Sequence, residues 1–358
     1  METSMPRGVT AWTERSYAKS WVDGLQDAIE RLPWAPWLTY VVVFLALAGT
    51  ETILKWSAGT YPVGTFHPWH VVGAGTGLYA FALMHYLDVV SGRALDTFRN
   101  VMDATDEDVA AVRARLTTMP AGPVYLATVI GVLVGVTQRV LVSSRNLEGI
   151  GYATSGPVYA FEYGLMLSVF VGLSILTYHT ARQLRSIDFL YRECAMVRLF
   201  DPAPLYAFSR VTARTALGQV FAAYAWLVTY PRSTAGESAS VLFVVLVILA
   251  LLAVTTFALP LWGAHQRLEA EKLRRKTDAH AHIDRVLERQ RQRVAEEDHA
   301  GLQGGSHAMA SLTAELTLLE KASTWPWETA AFRGFLTAIM LPLVVWAVEQ
   351  VIARWLLP

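Results

Sequence analysis

Apolar positions along the chain fall into seven runs, each about as long as a bilayer-crossing helix and separated by polar segments. They cover roughly residues 36–54, 68–90, 123–142, 157–180, 216–230, 240–261 and 332–356. A helix needs about 20 mostly apolar residues to span about 30 Å of hydrocarbon. Pro68, Pro123 and Pro157 open three of the runs, where a missing N–H costs nothing. The fifth run has an amphipathic lead-in from Pro204, and Pro342 is expected to kink the last. The pattern predicts an all-α, polytopic membrane bundle of about seven transmembrane helices.

The polar segments predict further helices. Residues 264–298 are highly charged and free of Gly and Pro, with Leu268, Ile283, Leu287 and Val294 as an intermittent apolar seam. This reads as a long helix leaving the sixth crossing. Gly301–Ser306 is expected to break it, and Met309, Leu312, Leu316 and Leu319 mark one face of a shorter second helix. Together they predict a cytoplasmic helical hairpin, with the Lys272–Lys276 cluster solvated or touching anionic headgroups. The first 33 residues lack a continuous apolar core, so a cleavable signal peptide is not expected. Tyr17, Trp21, Leu25, Ile29 and Leu32 form one stripe, as in an amphipathic helix lying on the inner membrane surface or against the bundle. The expected division is a cytoplasmic arm (1–33), a six-helix transmembrane region (34–263), the hairpin (264–324) and a C-terminal crossing (325–358).

Composition agrees with membrane embedding. Of 358 residues, 53% are apolar and only 17% charged, against about 25% charged in soluble domains; mean hydropathy is +0.33. Lys plus Arg equals Asp plus Glu at 30 each, so the chain lacks the basic field that nucleic-acid binding needs. Cys194 is the single cysteine, which excludes an internal disulfide and any multi-cysteine metal centre. Of the 30 Lys and Arg, 25 fall on one side of the threading and five on the other: Lys55, Arg139, Arg145, Arg232 and Arg354. The positive-inside rule puts the N-terminus in the cytoplasm and the C-terminus, after seven crossings, outside. Trp34, Trp37, Trp69, Trp262 and Trp355 fall near run ends and read as interfacial anchors.

Ionisable residues within the bilayer are costly and mark candidate sites. Threading places Glu51, Gln138, Arg139, Glu162 and Glu349 in one polar layer of the outer leaflet. Arg139 and Glu162 lie equally far from a short external loop, which predicts a direct salt bridge, with Glu51 or Glu349 as a second acceptor. His85, Asp88 and His179 lie near the inner ends of their runs, as a candidate pH-sensitive cluster or as interfacial hydrogen-bonding groups. His67 and His70 are three apart, but no third or fourth ligand is evident nearby in sequence, so no metal is expected. Cys194 lies near Arg192 and Arg198, which could activate a thiolate, but a lone cysteine is more commonly buried and inert. Gly73 and Gly77, and Gly131 and Gly135, are spaced for close helix packing, within one chain or in a homo-oligomer. Gly-x-Ser-x-Gly, His-Glu-x-x-His and Walker motifs are absent, and no cofactor is expected.

The runs Pro204-Leu205-Tyr206-Ala207-Phe208-Ser209, Thr212–Thr215 and Arg115–Pro120 resemble motifs of a group of prokaryotic multipass membrane proteins to which no activity is assigned. The resemblance implies a prokaryotic plasma membrane. Three functions are expected to compete. The first is a non-enzymatic sensor, scaffold or assembly module whose hairpin engages a cytoplasmic protein. The second is a channel or secondary transporter using the outer polar layer. The third, with least support, is a membrane enzyme using Glu162, His67 and His70. A water-filled cavity along the polar layer would favour transport, and sealed pairing the first reading.

Overall fold

The computed structural model describes residues 17–102, 104–141, 151–153, 156–194, 203–229, 239–295, 299–327 and 329–356. Among these the chain is helical, with no strand beyond one antiparallel bridge, Lys19 to Pro120. Ten α-helices follow in order: α1 (Trp21–Glu30), α2 (Pro36–Ser57), α3 (Pro68–Phe98), α4 (Asp106–Thr117), α5 (Ala121–Leu141), α6 (Gly156–Phe189), α7 (Ala207–Thr229), α8 (Ala239–Ala295), α9 (His299–Lys321) and α10 (Thr329–Leu356). Local chemistry sets several starts. Ser20 with Asp23, and Thr105 with Asp108, form capping boxes for α1 and α4, satisfying N–H groups that have no helical acceptor. Pro36 and Pro68 occupy first-turn positions of α2 and α3.

Among the described residues, three helices are long and apolar enough to cross a membrane: Pro36–Ser57, Ala121–Leu141 and the continuous Gly156–Arg192. Outward-facing positions are apolar on two of these spans and on α8 and α10 as well. Val42 and Leu45 of α2, Leu126 and Leu133 of α5, Leu251 and Leu259 of α8, and Leu341 and Val351 of α10 are all exposed. In water such a surface would associate; in lipid it is the expected exterior.

One core cluster joins α3, α4, α6, α7 and α8, where the rings of Phe98, Tyr191 and Phe208 meet edge-to-face at 5.1–5.9 Å. The second joins Val22, Leu83, Met84, Leu87, Met119, Val124 and Ile175. Between α3, α5 and α6, glycine permits close contact. A Cβ on Gly77 would lie 2.8 Å from the Ser168 backbone carbon, one on Gly131 2.6 Å from Val171 Cα, and one on Gly135 2.8 Å from the Leu167 side chain. Gly73 instead faces the Tyr152 hydroxyl.

Several expectations need correction. Gly301–Ser306 does not break a helix: α9 starts at His299 and runs through it. Gly305 lies against α8, where an added Cβ would come 2.5 Å from the Gln290 amide nitrogen. Of the expected apolar positions, Leu268 and Leu319 are buried, but Leu287 and Val294 are exposed, and Ala279 is buried on α8 in addition. Lys272 donates to the Glu320 and Ala322 carbonyls, tying α8 to the end of α9. The stripe on α1 is also turned: Trp21 and Leu25 face outward, while Val22, Asp23, Gln26 and Ile29 are buried. The polar residues turn inward because Asp23 accepts from the Ser20 and Met119 N–H groups.

Candidate functional site

Four ionisable residues converge at one end of the bundle, beneath the connections at 58–67 and 151–153. Glu51 and Lys55 are one turn apart on α2, His70 sits in the first turn of α3, and Glu162 lies in the second turn of α6. All four are buried.

Lys55 is the hub. Its ammonium ion-pairs with Glu162, donates to the Gly151 carbonyl at 2.7 Å and lies 3.5 Å from His70 Nε2. The Tyr61 and Tyr152 rings flank it at 5.2 and 5.4 Å, a cation–π arrangement strengthened by exclusion of water. Glu162 also accepts from the Ala153 N–H at 2.8 Å. The Tyr61 hydroxyl is 3.0 Å from His70 Nε2, and His70 Nδ1 lies 3.2 Å from Glu51 Oε1. The His70 ring thus turns Nε2 toward Lys55 and Tyr61 and Nδ1 toward Glu51. Burial, with Glu51 and Glu162 nearby, pushes the Tyr61 and Tyr152 hydroxyls up from their ordinary value, so both stay protonated donors. Gly151 has φ +80° and delivers its carbonyl to Lys55, and a Cβ there would run into the Tyr61 ring.

This corrects the expected Arg139–Glu162 bridge. Arg139 instead lies over the Tyr159 ring, 5.1 Å from its centre. Matching depth on adjacent helices was satisfied, but Lys55 reaches Glu162 from a third helix. Lys55 lies one residue past the end of the first apolar run, and its i, i+4 spacing from Glu51 is the sequence signal that points to it. His70 finds its acidic neighbours on other helices, which local spacing does not reveal; His67 instead packs on the Tyr61 ring at 4.3 Å. Helix α10 packs against α7 and α8, and the Glu349 side chain lies outside the described residues, as do those of Trp355 and Cys194.

Beside the cluster is a cavity of about 160 Å³ lined by Glu51, Gln138, Arg139, Tyr152, Tyr159 and Glu162, with Trp69 and Trp226 among its aromatic walls. Trp69 is buried and meets Trp226 edge-on at 4.5 Å, so it is a wall of the cavity and not an interfacial anchor. Trp34, Trp37 and Trp262 are exposed.

A second polar layer lies at the other end. His179 Nε2 is 2.8 Å from Asp88, and His85 is 3.1 Å from Glu30 and 3.2 Å from the Tyr40 hydroxyl. His70 and Asp88 are 18 residues apart on α3, and Glu162 and His179 are 17 apart on α6. At 1.5 Å per residue the two layers are roughly 26 Å apart, close to the thickness of a bilayer core.

Set against known proteins, the chain matches no family model, no curated protein and no solved structure.

Proposed function

We propose that the chain is a non-enzymatic sensor or scaffold module of a prokaryotic plasma membrane. It has seven crossings, the N-terminus inside and the C-terminus outside. The outer cluster is its input, and the α8–α9 pair is the cytoplasmic surface that engages a protein partner.

The observation that carries this reading is the continuity of α6. Its outer end bears Glu162. Its inner end grips α8 where that helix passes from apolar to charged sequence. A Cβ on Gly263 would lie 2.8 Å from Asp188 and 3.0 Å from Arg192 Nε, and Arg267 donates to the Tyr191 carbonyl at 3.2 Å. The grip includes a π-helical turn, Leu190–Cys194, a geometry often kept at functional positions. The seven-crossing threading is supported by the 26 Å separation of the polar layers and by the apolar outer faces of α8 and α10. The burial of Lys55 and Glu162 favours a switch over an open conduit, and the adjoining cavity is what a transport reading would use.

One experiment separates the two. The protein is reconstituted in liposomes with an environment-sensitive fluorophore at Leu273, an exposed position on α8, and with a pH dye inside. For a sensor, breaking the cluster with Lys55→Met/Glu162→Gln should shift the fluorophore relative to wild type, with no proton entry down an imposed pH gradient in either protein. Sustained proton or cation flux with no fluorophore response would overturn the proposal in favour of transport.

A further inference from the structure

The outer cluster is built as a cation cage, and an ammonium tethered to the chain fills it. Lys55 meets a carboxylate, a backbone carbonyl, an imidazole nitrogen and two aromatic faces. The cage holds two carboxylates, Glu51 and Glu162, for this one ammonium, with the His70 ring between them.

We propose that Glu51, His70 and Glu162 bind a divalent metal of the zinc class in exchange for the Lys55 ammonium. One ligand atom from each residue lies within 4.8 Å of the other two, and all three residues are buried. Two carboxylates and one imidazole suit zinc, whereas magnesium and calcium prefer all-oxygen sites. Bonds of about 2.0–2.1 Å set a tetrahedral edge of about 3.3 Å, so the ligands must draw in by about 1.5 Å at most. Glu51 and Glu162 both border the cavity, which supplies an entry path and room for a water as fourth ligand. On metal entry the Lys55–Glu162 ion pair breaks, while the Gly151 carbonyl and the two tyrosine rings still hold the lysine. Glu162 therefore changes partner, and it lies on the helix whose far end grips α8. This names the input of the module proposed above and rests on that reading; binding is measured apart from any partner.

The test uses the full chain in detergent, free of any affinity tag, with Co²⁺ as probe. Wild type should take up a single equivalent and show the visible bands of four-coordinate Co²⁺, which Zn²⁺ bleaches and Mg²⁺ and Ca²⁺ leave unchanged. Lys55→Met removes the competing charge and should tighten binding by about tenfold or more. Glu51→Gln and His70→Asn should abolish the bands while thermal unfolding stays cooperative. Absence of bands in both wild type and Lys55→Met, or bands that survive Glu51→Gln, would overturn the proposal. If Lys55→Met does not fold, the wild-type spectrum and its loss in Glu51→Gln decide alone. Metal uptake without a fluorophore shift at Leu273 would uphold the site and defeat the sensor reading.

Discussion

Lys55 and Glu162 are each 2% exposed at the side chain, so the cost of breaking their pair is dominated by the charge left behind. Lys55→Met alone strands a buried carboxylate, and a penalty of about 3–5 kcal/mol is expected. The double change Lys55→Met/Glu162→Gln should recover much of that loss, because glutamine keeps an oxygen for the Ala153 N–H. Thermal unfolding in detergent reads both, and a double variant no more stable than the single one would show the pair to be uncoupled. On the charged part of α8, Glu271 offers a contrasting case. Arg274 first, then Arg275, hydrogen-bonds its carboxylate and holds it down at about 2. A carboxylate whose folded value is depressed adds stability above its unfolded value near 4.5, and this is lost as pH falls toward 2. A carbon-13 titration of Glu271 should show that low midpoint, and Arg274→Gln should move it upward.

At the scale of elements, close helix approach depends on where glycine is tolerated and where it is required. Gly131→Ala places a methyl against the backbone of α6 and should cost about 1–3 kcal/mol through forced separation of the helices. Gly122→Ala, on the same helix with nothing near its Cβ, should be neutral or slightly stabilising, since alanine is the better helix former. Equal costs at the two sites would show that propensity and not packing dominates. The Gly-x-x-x-Gly spacing was legible in the sequence, but the partner helix was not, because spacing describes one face only. The glycines at 301–305 make the complementary point. Local propensity reads them as a break, yet they lie in α9, which packs along α8 with Gly305 at a close approach, and tertiary contact commonly outweighs propensity.

For the whole molecule, the proposed threading is open to a direct check. In a Cys194→Ser background, a cysteine at Val63, 80% exposed between α2 and α3, should react with an impermeant reagent applied outside cells. One at Leu273, also exposed, should react only after permeabilisation. The reverse pattern would invert the orientation and move the cation cage to the cytoplasmic side. The sequence by itself determined the helical class, the extent of the apolar runs and the asymmetry of basic residues, because these depend on composition and on period along a single helix. It also singled out Glu51, Glu162 and Arg139, since an ionisable group in an apolar run is conspicuous wherever the run packs. What only the tertiary structure decided was partnership. Lys55 reaches Glu162 from a helix about 100 residues away, and Gly151 and the two tyrosines close on Lys55 from connecting turns. A buried carboxylate takes whichever cation the packing brings nearest, and helix depth constrains that choice along the membrane normal but not around it.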